Sequence, residues 1–323
     1  MPEKSPPVFE RLALIGVGLI GSSIARAARA QGAVRSIVAT ARSAATRKRV
    51  RELGIADEVV ETNAEAAKGA DCIIICIPVG VSGKVAAEIA ASIAPGAIVS
   101  DVGSVKGAVL RDMAPHVPKH AHLVPAHPVA GTEHSGPDAG FAELFEDRWC
   151  ILTPPAGADG KAVAKLAAFW QRLGANVEVM DATHHDLVLA ITSHLPHLIA
   201  YNIVGTAADL ETGTRSEVIK FSAGGFRDFT RIAASDPTMW RDVFLNNKEA
   251  VLEMLGRFNE DLAALTRAIR TGDGDTLFDR FTRTRAIRRS IIEVGQETAE
   301  PDFGRRHGGH EPHAPLPRPY ASD

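Results

Sequence analysis

From Arg11 to about Met180, short apolar runs alternate with Ala-rich amphipathic stretches. The runs read "RLALIG", "SIVAT", "DCIIICIP", "AIVSDV", "HLVPAHP", "WCILTP" and "NVEVM". Strands that are apolar along their whole length must be buried on both faces, so this alternation predicts a parallel sheet covered by helices on either side. Residues 1–180 are therefore expected to form a Rossmann-type, doubly wound α/β domain. Beyond Met180 the period changes. "DATHHDLVLAITSHLPHLIAYNIVGTAADL" and "SDPTMWRDVFLNNKEAVLEMLGRFNEDLAALTRAI" carry apolar residues at three- and four-residue spacing with no strand-like alternation, which predicts an all-helical domain over 181–300. Helices this apolar need a partner surface, and a second copy of the chain supplies one, so a homodimer is expected. From Pro301 the tail "PDFGRRHGGHEPHAPLPRPYASD" loses all periodicity, and residues 301–323 are expected to be disordered.

Composition narrows the function. The 323 residues are 45% hydrophobic and 23% charged with a formal charge of −3, an ordinary balance that gives no electrostatic footprint for nucleic acid. A small-molecule partner is expected instead. Cys72, Cys76 and Cys150 are few and unevenly spaced, which reads as reduced thiols. The N-terminal "MPEKSPPVFE" has no apolar signal core, and "CIIICIPVGV" is about half of the ~20 residues that a membrane span requires. The expectation is a cytoplasmic protein with no membrane partner. His307, His310 and His313 in the tail read as solvated side chains, and no metal is expected.

"RLALIGVGLIGSSIARAARAQG" places Gly16, Gly18 and Gly21 in G-x-G-x-x-G register between a strand and an Ala-rich helix. The turn needs Gly16, a pyrophosphate approaches closely only past a residue without Cβ, and Gly21 lets helix and strand touch. The helix start at Leu19 and Ile20 then offers unpaired N–H groups to the phosphates. Because the motif opens a βαβ unit at the start of a sheet, it predicts a dinucleotide site. An NAD-preferring site commonly ends the next strand with an acid that grips the ribose. Here "SIVATARSAATRKR" has Ala41 at that point, followed by Arg42, Ser43 and Arg47. Arg42 and Ser43 are suited to a 2′-phosphate, so the expectation is NADP ahead of NAD. The alternative is that they are plain exposed cations at a helix start.

Two polar loops, "SDVGSVKG" and "PAHPVAGTEHSG", fall at the carboxyl ends of strands, where ligands meet such sheets. The second is too polar and too rich in Pro and Gly for a core strand. His127 in it either does chemistry or decorates a turn. Ser104 in the first either caps a helix or contacts cofactor and substrate.

Five ordered stretches, "LIGVGLIGSS", "SDVGSVKG", "AHPVAGTEHSG", "TSHLPHLIA" and "GGFRDFTRIAASDPTMW", together resemble the prephenate and arogenate dehydrogenase family across most of residues 11–300. The resemblance implies NAD(P)-dependent oxidative decarboxylation of a cyclohexadienyl acid in tyrosine biosynthesis. It also implies His127 as the catalytic histidine, with Ser104 placed near it and the substrate. By the same motifs Thr132 and Glu133 match a loop that closes the pocket, and His197 a substrate-contacting histidine. Arg231 matches the cation that holds a substrate carboxylate, and Trp240 an aromatic wall that a partner subunit supplies. His194 matches less closely.

Plainer roles stand beside these. His184 and His185 read as a solvated helix start capped by Asp181, and Lys106 and Glu133 as surface charges. Arg231 is at the right spacing for a salt bridge with Asp228, Trp240 for the core, and His134 for an exposed position without a role. Two rivals to the dehydrogenase reading are another hydroxyacid dehydrogenase or imine reductase of the same plan and a non-catalytic dinucleotide sensor. For the first, Lys220 and Lys248 are the only lysines placed to serve, and neither has a supporting motif.

Overall fold

The computed structural model describes residues 6–132, 134–209, 220 and 224–293. Strands and helices lead through the first two thirds of the chain in the order β1 (Phe9–Ile15), α1 (Leu19–Ala30), β2 (Val34–Thr40), α2 (Ala44–Leu53), β3 (Glu58–Val59), α3 (Asn63–Ala67), β4 (Cys72–Ile75), α4 (Ser82–Ile89), β5 (Ile98–Asp101), α5 (Lys106–Met113), β6 (His122–Leu123), β7 (Ala126–Pro128), β8 (Trp149–Leu152), α6 (Gly160–Arg172), β9 (Asn176–Val179), α7 (Ala182–Leu189) and α8 (Leu195–Ala208). Helices Gly224–Thr230, Pro237–Asn246, Lys248–Thr271 and Gly274–Glu293 follow. The chain forms two compact units, one up to Gly256 and one from Arg257.

The main sheet has six strands in the order β3-β2-β1-β4-β5-β6, all parallel. The strand order reverses between β1 and β4, and ligands bind at the carboxyl edge of such a switch point. Its two central strands are apolar from Leu12 to Ile15 and from Cys72 to Ile75 because both faces are covered there: Leu12, Leu14 and Ile74 point into one core cluster, and Ala13, Ile73 and Ile75 into the other. The two faces alternate along each strand, as the pleat requires.

One expectation is corrected. The runs around His127, "WCILTP" and "NVEVM" do not extend the parallel sheet. They form a second, three-stranded sheet in the order β7-β8-β9, with β7 and β8 antiparallel and β8 and β9 parallel. The His127 stretch, polar and rich in Pro and Gly as it is, begins as a buried strand: Ala126, His127 and Pro128 are all buried and pair with Leu152, Ile151 and Cys150. α6 seals this sheet with Leu166, Phe169 and Trp170, and Phe145 meets Trp170 edge-on at 5.3 Å. Each such side chain contributes ~1.5–3 kcal/mol by leaving water. Strand β7 thus starts on a polar loop motif and is fixed by apolar packing beneath it.

The turn after β1 depends on two glycines. Gly16 has φ +93°, and a Cβ there would lie 2.4 Å from the Cys76 carbonyl oxygen; one on Gly21 would lie 2.3 Å from the Gly16 oxygen. At Gly18 an added Cβ meets nothing within 4 Å. Gly16→Ala and Gly21→Ala are therefore expected to destabilise the fold by at least ~1–3 kcal/mol, whereas Gly18→Ala should stay within about 0.5 kcal/mol of the parent. Urea unfolding of the three variants checks this.

Candidate active site

The cofactor cradle follows directly from that turn. Gly18 is the N-cap of α1 and has no side chain to cap it, so the first N–H groups of a 12-residue helix, those of Leu19 and Ile20 included, keep a positive dipole end for a diphosphate. Open space at the Gly18 Cβ position and an uncapped helix start are what a bound dinucleotide needs, and the residues present fit it. At the end of β2, Arg42 is exposed. Ser43 serves the helix that follows, since its oxygen accepts the Thr46 N–H and caps α2. Arg47 braces the same loop by donating to the carbonyls of Ala41 and Arg42.

The reacting centre is built around His127. Its Nδ1 lies 2.9 Å from Nε2 of His185, and Nδ1 of His185 lies 2.8 Å from Oδ1 of Asp186. Asp186 reaches across to the start of α5, where its two oxygens accept the N–H groups of Lys106 (2.7 Å) and Gly107 (2.8 Å). A Cβ on Gly107 would sit 2.9 Å from Asp186 Oδ2, so glycine is what admits the carboxylate. The Lys106 side chain, fully buried, donates to Asp101 Oδ2 (2.5 Å) and to the Ala126 carbonyl (2.6 Å). Burial pushes Lys106 down and Asp101 up, and each offsets the shift of the other. This ion pair fixes the residue next to His127.

A second group adjoins the first. Asn247 Nδ2 donates to the Asp186 carbonyl (2.8 Å) and faces Nδ1 of His194 at 3.0 Å. His194 meets Trp240 edge-on at 6.1 Å, and Trp240 stacks on His197 at 3.6 Å. Arg231 lies close enough to His197 to disfavour its protonation. The helix widens to a π-turn over Ala190–His194 just before Pro196. Proline has no N–H for the regular ladder, and the extra residue in the turn sets His194 inward. Nδ1 of His197 then engages the Ser193 carbonyl at 2.9 Å.

Several plainer readings are overturned by these contacts. His185 is fully buried, not solvated, because it lies on the inner face of α7 with Ala182, Asp186 and Leu189; Asp181 does cap α7, and His184 is exposed. Lys106 is a buried charge, not a surface one. Ser104 does not cap α5: Val105 is the N-cap residue and Asp186 takes the helix N–H groups, leaving Ser104 half-buried with its backbone against His194. Asp228 pairs with Arg227 rather than Arg231. Trp240 is buried in one of the two core clusters and stacks on His197 of its own chain. Thr132 closes a local turn by accepting the His134 N–H, and His134 is exposed. Glu133 lies outside the described residues, as do His307, His310 and His313. Residues 301–323, expected to be disordered, also fall there. The three cysteines are free thiols.

Asp186, His185, Lys106 and Asn247 are the site residues that motif reasoning missed. The signal for the first two was the helical register, since residues 182, 185, 186 and 189 share one face.

Comparison with known proteins agrees with this geometry. Residues 24–179 match the family model for the nucleotide-binding domain of prephenate dehydrogenase, and residues 181–283 that for its dimerization domain. The chain belongs to the prephenate dehydrogenase family. It is 43% identical over 284 residues to the cyclohexadienyl dehydrogenase of Zymomonas mobilis, covering 88% of this chain and 97% of that one. It is 32% identical to the prephenate dehydrogenase of Bacillus subtilis, covering 91% and 79%. Among solved structures it resembles prephenate dehydrogenase from Aquifex aeolicus in complex with hydroxyphenyl propionate and NAD+, with a TM-score of 0.81, 33% identity and coverage of 87% and 98%. The Rossmann-type sheet domain and the helical segment are those of an NAD(P)-binding dehydrogenase.

Burial, the main cause in each case, holds all four histidines of the site below the ordinary 6.5, with His194 and His197 pushed down to about 4. A group with a lowered folded pKa binds fewer protons folded than unfolded between the two values, so stability rises with pH across that window. The melting temperature is expected to be level above pH 6.5 and to fall steadily from 6.5 towards 4, where scanning calorimetry would record it. A melting temperature unchanged over that range would contradict the burial of these rings.

Proposed function

We propose that the chain catalyses the oxidative decarboxylation of prephenate, arogenate or both, with His127 as the proton acceptor. The observation that carries this is the position of His127. It is anchored through Nδ1 on a buried strand, retains 8% exposure, and lies beyond β5 at the carboxyl edge of the sheet that carries the dinucleotide cradle. The substrate loses a hydride from the ring carbon bearing its hydroxyl, and the hydroxyl loses its proton as that carbon becomes a carbonyl. The bound dinucleotide supplies the hydride acceptor. His127 takes the proton at Nε2, the nitrogen that His185 does not occupy. Loss of carbon dioxide then makes the ring aromatic, so the chain's remaining work is to orient the reactants and exclude water.

Arg231 is the group proposed to hold the substrate's carboxylate, by charge, while His197, whose one N–H is given to the Ser193 carbonyl, is proposed to contact the substrate as an acceptor through Nε2, with Trp240 backing the pocket. Ser104, beside α5, is proposed to contact substrate and cofactor, and Thr132 and Glu133 to belong to the loop over the pocket. For the cofactor, NADP is proposed ahead of NAD, on Arg42 and on the absence of an acid at position 41; with Ser43 committed to its cap, the 2′-phosphate reading rests on Arg42. A homodimer through the helical part is supported by its exposed apolar side chains, among them Ile191, Ile203, Leu245, Leu252 and Phe278. The segment Ala182–Ala208 is long and apolar enough, by length and composition alone, to cross a membrane. Its His185 and Asp186, bonded to β7 and α5, favour a protein partner for its outer face instead.

His127→Asn is expected to leave dinucleotide binding intact and to lower turnover by ~10²–10⁴-fold. In the parent, log kcat/KM should stay level as pH falls past 6.5 and drop only at lower pH, because burial first, and then His185, Lys106 and His194, hold the imidazole neutral. Steady-state assays with both substrates check this, and full turnover by His127→Asn overturns the assignment. Arg42→Ala should weaken NADP by about tenfold or more while leaving NAD within about twofold, the loss of one charge-assisted contact; titration with each dinucleotide reads it directly.

A further inference from the structure

We propose that Asp186, acting through His185, is a positioning residue that fixes His127 in the tautomer able to accept the substrate's proton. This rests on the reading of His127 as the base and adds what selects its reactive nitrogen.

Hydrogen-bond accounting selects the tautomer. Both oxygens of Asp186 accept backbone N–H groups at the start of α5, so the carboxylate is an acceptor there. The ring nitrogen of His185 that faces Oδ1 at 2.8 Å therefore carries the hydrogen. A neutral imidazole has one N–H, so Nε2 of His185 is a lone pair. His127 Nδ1, 2.9 Å from that lone pair, must then be the donor, which leaves Nε2 of His127 without a hydrogen. Of the two neutral forms of His127, only this one accepts a proton on the side away from β7.

The same chain of bonds acts after transfer. When Nε2 takes the hydroxyl proton, the ring becomes an imidazolium whose Nδ1–H still points at His185, and the Asp186 anion stands behind it. No other bond changes. The groups facing His127 are His185 from α7, Lys106 from α5 and His194 from the π-turn, and all three disfavour its protonation. Asp186, through its hydrogen bond and its charge, is the main group that favours protonation of His185, the ring between them; Asp101 adds to this by charge and also offsets the charge of Lys106. Asp186 also joins this relay to the loop before α5, so Ser104 and His127 take their positions from one carboxylate.

The test is the ring-nitrogen NMR spectrum of the ¹⁵N-labelled full chain at neutral pH, with His127 assigned by its loss in His127→Asn. The parent should show His127 protonated at Nδ1 and bare at Nε2. Asp186→Asn and His185→Leu should both move it towards the Nε2–H form. Each should also lower kcat by on the order of 10²-fold while the KM for dinucleotide stays within about twofold. His185→Leu leaves the Asp186 bonds to α5 in place, so it decides the question if Asp186→Asn does not fold. An Nε2–H tautomer in the parent overturns the proposal, as does an unchanged tautomer with full kcat in His185→Leu. Full turnover by His127→Asn would instead remove the base assignment, and the NMR signal would still report on the relay.

Discussion

The carboxylate of Asp186 on the N-terminus of α5 is the contact on which the rest of the site depends. It belongs to a helix of the second half of the chain, and it satisfies the backbone of a helix of the first, 80 residues earlier in sequence. A helix start needs acceptors for its first N–H groups, and they usually come from the residue just before it. Here the local sequence supplies Val105, which cannot serve, and the requirement is met from a distance. One bond pair therefore aligns three things: the loop that carries Ser104, the ring of His185, and through it His127.

Beneath that contact lies the buried Lys106–Asp101 pair. Two desolvated charges are tolerable only where every remaining donor and acceptor is met. Asp101 accepts the N–H groups of Gly103 and Ala126 in addition to the lysine, and the lysine donates to the Ala126 carbonyl. The end of β5 and the start of β7 are thereby tied together where the two sheets meet. Such a pair adds little net stability over an apolar substitute. What it fixes is geometry, because it sets the backbone immediately before the base.

How much of this was legible in the chain depended on how local each feature is. The glycine turn could be read because Gly16, Gly18 and Gly21 act within one strand–helix corner, and the parallel sheet because double burial writes itself as unbroken apolar runs. The second sheet could not, since its antiparallel pairing joins Ala126 to Leu152 across a long polar loop and shares composition with the first. His127, His197, Arg231 and Trp240 were found by motif, and the structure groups the last three. Lys106 looked like an ordinary surface charge because its partner Asp101 is in a strand, not on its own helix. His185 and Asp186 were obscured by the polar context "THHD", although their three- and four-residue spacing from Ala182 and Leu189 marks the buried face. A polar residue on an apolar stripe is the informative exception, and it has to find its partners somewhere.

The span of these bonds has a consequence for how the chain is made. The dinucleotide turn is made long before the helices that follow it, but the relay joins residues 58 and 80 apart, and Asn247 closes it 61 residues after Asp186. Elements that depend on distant partners form late. A nascent chain can therefore hold its nucleotide fold well before its imidazole is correctly set, and the newborn polypeptide stays chemically silent until the helices arrive.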